Sequence, residues 1–192
     1  MTVADSLTIF TAICKKMQNN QCIVLETQRL ILREMTLDDL DNLLAVLCDP
    51  EAMQFYPKPF DRQMVQAWIK RNMQRYTQHG FGLWALVLKQ NSKLIGDCGL
   101  VLQDVDGVEE VEIGYHVRRD LWGQGLATEA AQACRDYGFN QLGFNKLISL
   151  IHPDNIASCR VAQKNGMRLS KKTEWRNKPT CIYTVERSNL PI

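Results

Sequence analysis

Apolar positions along this chain follow two periods, and the change between them marks out the elements. Arg29–Met35 (RLILREM) reads as a strand. Thr36 then caps a helix with Asp38 and Asp39 in its first turn and Leu37, Leu40, Leu44 and Leu47 on one face, until Pro50 stops it. Asp61 opens a second helix, whose Val65, Trp68, Ile69 and Tyr76 form an apolar stripe opposite Arg62, Gln66 and Lys70. From Gly80 the period becomes two. Leu83–Lys89, Lys93–Gln103 and Glu109–Arg118 are predicted strands, and the tight turns around Asn91-Ser92 and Asp106-Gly107 force antiparallel pairing. A helix with a small-residue surface runs from Gly125 to about Phe139, followed by a short apolar strand at Leu147–Ile151. A last helix opens near Asn155 and ends at Gly166, a natural C′ residue, and strands near Met167–Glu174 and Cys181–Glu186 complete the chain. The helix between Glu109–Arg118 and Leu147–Ile151 makes those strands parallel neighbours. The expected fold is therefore α/β: a mixed, mostly antiparallel sheet of about seven strands with helices on both faces.

Residues 1–22 read as an N-terminal extension, with Leu7, Phe10, Ile13 and Cys14 on one face of a short helix, and residues 23–192 as one domain. A net charge of +2 makes no case for nucleic acid or a membrane surface as partner. No apolar stretch is long enough to span a bilayer, and Leu7–Cys14 lacks the basic leader of a signal peptide. The seven cysteines form no CxxC pair and no short Cys/His spacing, so they read as reduced thiols of a cytoplasmic protein, and no metal is expected.

The stretch that carries chemistry is Val111–Ala130, VEIGYHVRRDLWGQGLATEA. A strand enters a glycine-containing turn that opens directly into a helix. Gly123 and Gly125 let the backbone approach a ligand, and the first turn of the helix offers unpaired N–H groups at a positive dipole end, a site suited to a pyrophosphate. A dinucleotide fingerprint would need glycine at Thr128 and an acid about 20 residues on, where Ile148 and Ser149 stand; Gly-Lys-Ser/Thr occurs nowhere. Period two puts Glu112, Gly114 and His116 on one strand face and Ile113, Tyr115 and Val117 on the other.

These motifs resemble the GNAT acetyltransferases, and within them the RimJ/RimL branch. The similar pieces are TQRLILREMT at 27–36, LIGDCGL at 94–100, EIGYHV at 112–117, WGQGLATEA at 122–130 and NIASCRVAQKNGM at 155–167, so the likeness spans roughly residues 24–187. It implies a GNAT-like sheet with a splayed central strand pair and acetyl-CoA as co-substrate. The pyrophosphate would lie on Trp122, Gly123, Gln124, Gly125, Leu126, Ala127 and Thr128, with Trp122 where most members carry Gln or Arg. The pantetheine arm would pair with Tyr115, His116, Val117, Arg118 and Arg119 and reach Asn155 and Ser158, with the Val117 N–H as oxyanion donor. Glu112 matches the general base of several members, with His116 and then Asp97 as alternatives. The family's usual tyrosine acid falls at Ala162, which cannot donate, leaving Ser158 or water. Phe55, Tyr56 and Phe60 are expected to line the acceptor site. The implied activity is transfer of an acetyl group to a primary amine, either a protein N-terminal amine or a small molecule such as an antibiotic, a polyamine or an amino acid. A catalytically silent acyl-CoA-binding module is the reading from another class.

Overall fold

The computed structural model describes residues 16–18 and 21–189. The helix expected on residues 7–14 lies outside them. Among the described residues nine strands form one sheet: β1 (Lys16–Gln18), β2 (Gln21–Glu26), β3 (Leu30–Arg33), β4 (Leu83–Leu88), β5 (Leu94–Val105), β6 (Val108–Val117), β7 (Lys146–Ile151), β8 (Arg168–Trp175) and β9 (Lys178–Glu186), in the order β1-β2-β3-β4-β5-β6-β7-β9-β8. The strands read from the sequence are all present, and β1 and β2 extend the sheet at one edge, so β2 begins inside the span read as an extension. Every neighbouring pair is antiparallel except β6 and β7, which run parallel as the intervening helix requires.

Helices α1 (Leu40–Leu47) and α2 (Arg62–His79) cover one face of the sheet, while α3 (Leu126–Asn140) and α4 (Ile156–Lys164) lie against the other. The alternation in β4 shows why both faces must be covered. Leu83, Ala85 and Val87 join the core beneath α1 and α2, while Trp84 and Leu86 join the core beneath α3 and α4. Thr36 precedes a 3-10 turn at Leu37–Asp39 rather than an α-helix, because Asp39 turns back to the Thr36 N–H (2.8 Å) and is also gripped by Arg33. Asp61 caps α2 by accepting from the Met64 N–H, and Gly80 ends it in the left-handed conformation.

The cysteines need one correction: Cys22 is disulfide-bonded, whereas Cys48, Cys98, Cys134, Cys159 and Cys181 are free thiols. Among the described residues no helix is long and apolar enough to cross a membrane, and no group of three or more His, Cys, Asp or Glu side chains is arranged to hold a metal.

Candidate active site

Register between the parallel strands β6 and β7 is limited to Glu112 opposite Ile148, after which they diverge. The Ser149 hydroxyl closes the first gap by donating to the Ile113 carbonyl (2.9 Å). On its other edge β6 stays paired with β5 to the end, and the Arg118 N–H still reaches the Ile95 carbonyl (2.8 Å). Alternation along the antiparallel pair therefore turns the main-chain groups of Tyr115 and Val117 toward the diverging side. The Val117 carbonyl is taken by the Trp122 indole N–H (2.7 Å). That contact gives the tryptophan at this unusual position a task, closing the loop between strand and helix. The Val117 N–H and both main-chain groups of Tyr115 face the cleft.

Beyond Trp122 the chain turns through Gly123 (φ 77°) and Gly125 (φ 78°), left-handed conformations that residues with a Cβ adopt at a cost. Gly125 is the N-cap of the 15-residue α3, so the N–H groups that open the helix point out of its end without an intrahelical acceptor. The Arg29 guanidinium reaches the Gln124 carbonyl (2.9 Å) and pairs with Glu129 (2.6 Å). A cavity of about 360 Å³ opens beside the turn, lined by Gln28, Arg29, Gly125, Thr128, Glu129, Gln132 and Lys164. Glycine conformation, helix end and flanking cations fit a pyrophosphate-bearing ligand. The Leu126 side chain is buried in the core, which leaves only its backbone at the turn. Arg118 and Arg119 follow the strand, but their guanidinium groups are engaged on the surface, with Asp120 and with Asp49 and Glu51 respectively.

The opposite face of β6 holds a connected set of polar side chains. Asp97, fully buried in β5, accepts from the Trp68 indole N–H (2.8 Å) and from His116 Nδ1 (2.7 Å). On the far side of the ring, His116 Nε2 is hydrogen-bonded to the Tyr56 hydroxyl (2.7 Å). Burial alone would lower the pKa of His116, but the Asp97 carboxylate outweighs it and Glu112 adds to the effect, so the net shift is upward. Tyr56 is pushed well above the ordinary tyrosine range by burial of its hydroxyl and by the negative charges of Glu112 and Asp97. Further along the face, Glu112 accepts from the Gln103 side-chain amide (2.7 Å) and from the Leu150 N–H. Its pKa is raised because burial exceeds what those bonds and the nearby charges of His116 and Arg176 give back. Arg176, in the β8–β9 turn, reaches the other end of Gln103 (3.2 Å).

Phe60 stands edge-on to both Tyr56 and Trp68, and those two rings meet His116, so Tyr56, Phe60 and Trp68 form an aromatic wall beside the imidazole, while Phe55 stacks apart from them on His152. Lys178 Nζ donates to the Phe55 carbonyl (2.5 Å) and ties the segment before α2 to β9. Asn155 accepts from the Ser158 N–H (3.1 Å) as the N-cap of α4, and the Ser158 carbonyl accepts from the Tyr115 hydroxyl (3.1 Å) across the divergence. Ala162 is buried. Sequence reasoning missed Tyr115 as a bridge to α4, the Gln103–Arg176 support of Glu112, and the bond from Trp68 to Asp97. The signal for the last was an aspartate inside the otherwise apolar run LIGDCGL.

A family model described as acetyltransferase (GNAT) domain matches residues 29–168. YkkB of Bacillus subtilis, an uncharacterised protein, is 40% identical over 166 residues, covering 86% of this chain and 96% of its own length. The uncharacterised N-acetyltransferase p20 of Bacillus licheniformis is 32% identical over 154 residues, covering 74% of this chain and 84% of its own. Among solved structures, an acetyltransferase of the GNAT family from Bacillus anthracis superposes with a TM-score of 0.73 at 24% identity, over 85% of this chain and 98% of that one.

Proposed function

The chain belongs to the GNAT acetyltransferase family and is an acetyl-CoA-dependent N-acetyltransferase; we propose that its acceptor is the α-amine of a protein or peptide N-terminus, deprotonated by Glu112. The observation that carries this reading is the place of Glu112: a carboxylate held by the Gln103 amide (2.7 Å) and the Leu150 N–H, on the strand that leads into the pyrophosphate turn and two alternations from His116 on one strand face. A carboxylate base is better matched to a weakly basic ammonium than to a strongly basic one. Deprotonating an α-ammonium at pH 7 takes about 1 kcal/mol, against about 4.6 kcal/mol for a lysine side chain. The turn at 122–128 and the Tyr115–Val117 edge would hold the coenzyme, with the Val117 N–H directed at the developing oxyanion. The motifs WGQGLATEA and NIASCRVAQKNGM support a position near the RimJ/RimL branch.

A small-molecule amine is the second reading. An acceptor screen read by release of free coenzyme A tests both. Peptides with a free N-terminus should release thiol faster than polyamines, lysine side chains or free amino acids. Preference for a small amine would overturn the peptide assignment, and binding of acetyl-CoA without thiol release on any amine would leave a silent binding module, as Ala162 in place of a tyrosine suggests.

A further inference from the structure

Acyl transfer leaves a thiolate to be protonated, and Ala162, where the resemblance to GNAT acetyltransferases implies a tyrosine acid, has nothing to donate. Four side chains from four separate elements converge on the other face of β6: Tyr56 ahead of α2, Trp68 in α2, Asp97 in β5 and His116 in β6. They form one continuous chain of hydrogen bonds: the Trp68 indole N–H and His116 Nδ1 meet Asp97 at 2.8 and 2.7 Å, and His116 Nε2 meets the Tyr56 hydroxyl at 2.7 Å. The inner end is sealed, since Asp97 has no exposed surface and the His116 side chain is 12% exposed. The outer residue is less enclosed, with Tyr56 37% exposed as a whole while its hydroxyl is turned in against His116. A buried carboxylate holding an imidazole, which in turn holds a hydroxyl, is the arrangement that moves a proton to or from that hydroxyl.

We propose that Tyr56 is the general acid that protonates the departing coenzyme A thiolate, recharged by His116, with Asp97 and Trp68 as positioning residues. The inference rests on the acyl-transfer reading above. Before reaction His116 is protonated, its Nδ1–H on Asp97 and its Nε2–H on the Tyr56 oxygen. Glu112 takes one proton from the ammonium, and the neutral amine forms the N–C bond to the thioester carbonyl. The tetrahedral adduct loses its second nitrogen proton to water. As the C–S bond breaks, the sulfur takes the electron pair and the Tyr56 hydroxyl proton, and Tyr56 takes the Nε2 proton. His116 then recovers a proton from solvent and Glu112 releases one. Two protons leave the nitrogen and one reaches the sulfur, so one is released in each turnover.

The groups facing this relay are Asp97 from β5, Glu112 from β6 itself, Trp68 from α2, Tyr56 from the segment before α2, and Arg176 from the β8–β9 turn, whose charge acts on Tyr56 and Glu112. An acid that must be protonated governs the alkaline limb of the rate profile, whereas a base governs the acidic limb. Tyr56→Phe keeps the ring and its contact with Phe60 and removes only the hydroxyl, with its proton and its bond to His116. Its kcat on acetyl-CoA should fall about 100-fold, acetyl-CoA affinity should be unchanged, and the alkaline limb should be lost while the acidic limb stays. In the ligand-free protein, an NMR titration of His116 should show a lower pKa in Asp97→Asn than in the parent. Should Asp97→Asn fail to fold, a changed Nε2 resonance in Tyr56→Phe reads the same chain of bonds. Full turnover by Tyr56→Phe, or movement of the acidic limb instead, overturns the assignment. If the parent acetylates no amine, the acyl-transfer reading fails and takes the catalytic role with it, while the His116 titration still reports separately whether the hydrogen-bonded chain exists.

Discussion

At Glu112 one side chain faces opposing demands, and both can be measured. Its folded pKa lies above the ordinary carboxylate value, so the native state holds that proton more tightly than the unfolded chain does. The stability this contributes is present below the unfolded value and is lost as pH rises through the raised one, where a charge must sit in a buried place. Glutamine keeps the shape and cannot ionise. Glu112→Gln should therefore lose turnover by about 100-fold or more, yet its melting temperature should fall less than the parent's as pH rises from the ordinary carboxylate value through the raised one. Thermal denaturation across pH beside steady-state kinetics checks both, and a variant that kept full turnover would move the base elsewhere. Gly96 shows the tightest backbone constraint nearby. A Cβ there would lie 1.9 Å from the His116 carbonyl oxygen, so Gly96→Ala must push β5 from β6 at the residue that carries the relay. It should destabilise by more than the ~1 kcal/mol typical of single substitutions, and by more than Gly107→Ala, where no atom lies within 4 Å of the added carbon.

At the scale of elements, α4 is short and depends on its ends. Its nine residues begin at Asn155, whose side-chain oxygen holds the Ser158 N–H, and the same turn receives the Tyr115 hydroxyl from β6. Asn155→Ala should cost about 1 kcal/mol of stability through the lost cap, and a further loss of about 1–3 kcal/mol should appear only in acetyl-CoA affinity if the amide also meets the pantetheine arm. Calorimetric binding compared with melting separates the two, and equal affinity in parent and variant would leave Asn155 a cap alone. Local pattern made this element and most others legible, because each is announced by its own neighbours: Asp61 and Gly80 around α2, Gly125 before α3, Asp106-Gly107 between β5 and β6. The pair β1 and β2 escapes the pattern although Asn19-Asn20 is a turn signal directly before Gln21–Glu26, because Lys16–Gln18 is too short and too polar to show a period of two. The relay was unreadable for a different reason. Period two fixes the face of His116 but not what crosses that face, and Tyr56, Trp68 and Asp97 arrive there only through the packing of α2 and the register of β5.

For the whole molecule, the decisive feature is that one strand serves both faces of the sheet. The features proposed to hold the coenzyme lie at the end and diverging edge of β6, beside α3 and α4, while Glu112, His116 and the aromatic wall lie on the face covered by α1 and α2. Substitutions on the two sides should therefore divide cleanly between coenzyme affinity and turnover. Gly125 is the residue on which to test this, because its left-handed φ of 78° lets two effects be separated. Alanine there carries the conformational cost of a Cβ in that region, and the added carbon meets only Arg29 Nη2, at an ordinary 3.7 Å. Glutamate carries the same backbone cost and adds a negative charge at the helix end. Gly125→Ala and Gly125→Glu should lose similar stability, while only Gly125→Glu loses acetyl-CoA affinity strongly. Both should behave alike with and without a chelator, since backbone N–H groups and a helix dipole need no cation to hold a pyrophosphate. Combined with Glu112→Gln, the losses should add, because the two residues share no partner and act on different steps. Equal coenzyme affinity in Gly125→Ala and Gly125→Glu would place the pyrophosphate away from this turn. Strong non-additivity with Glu112→Gln would mean that the two faces of β6 are coupled through the strand.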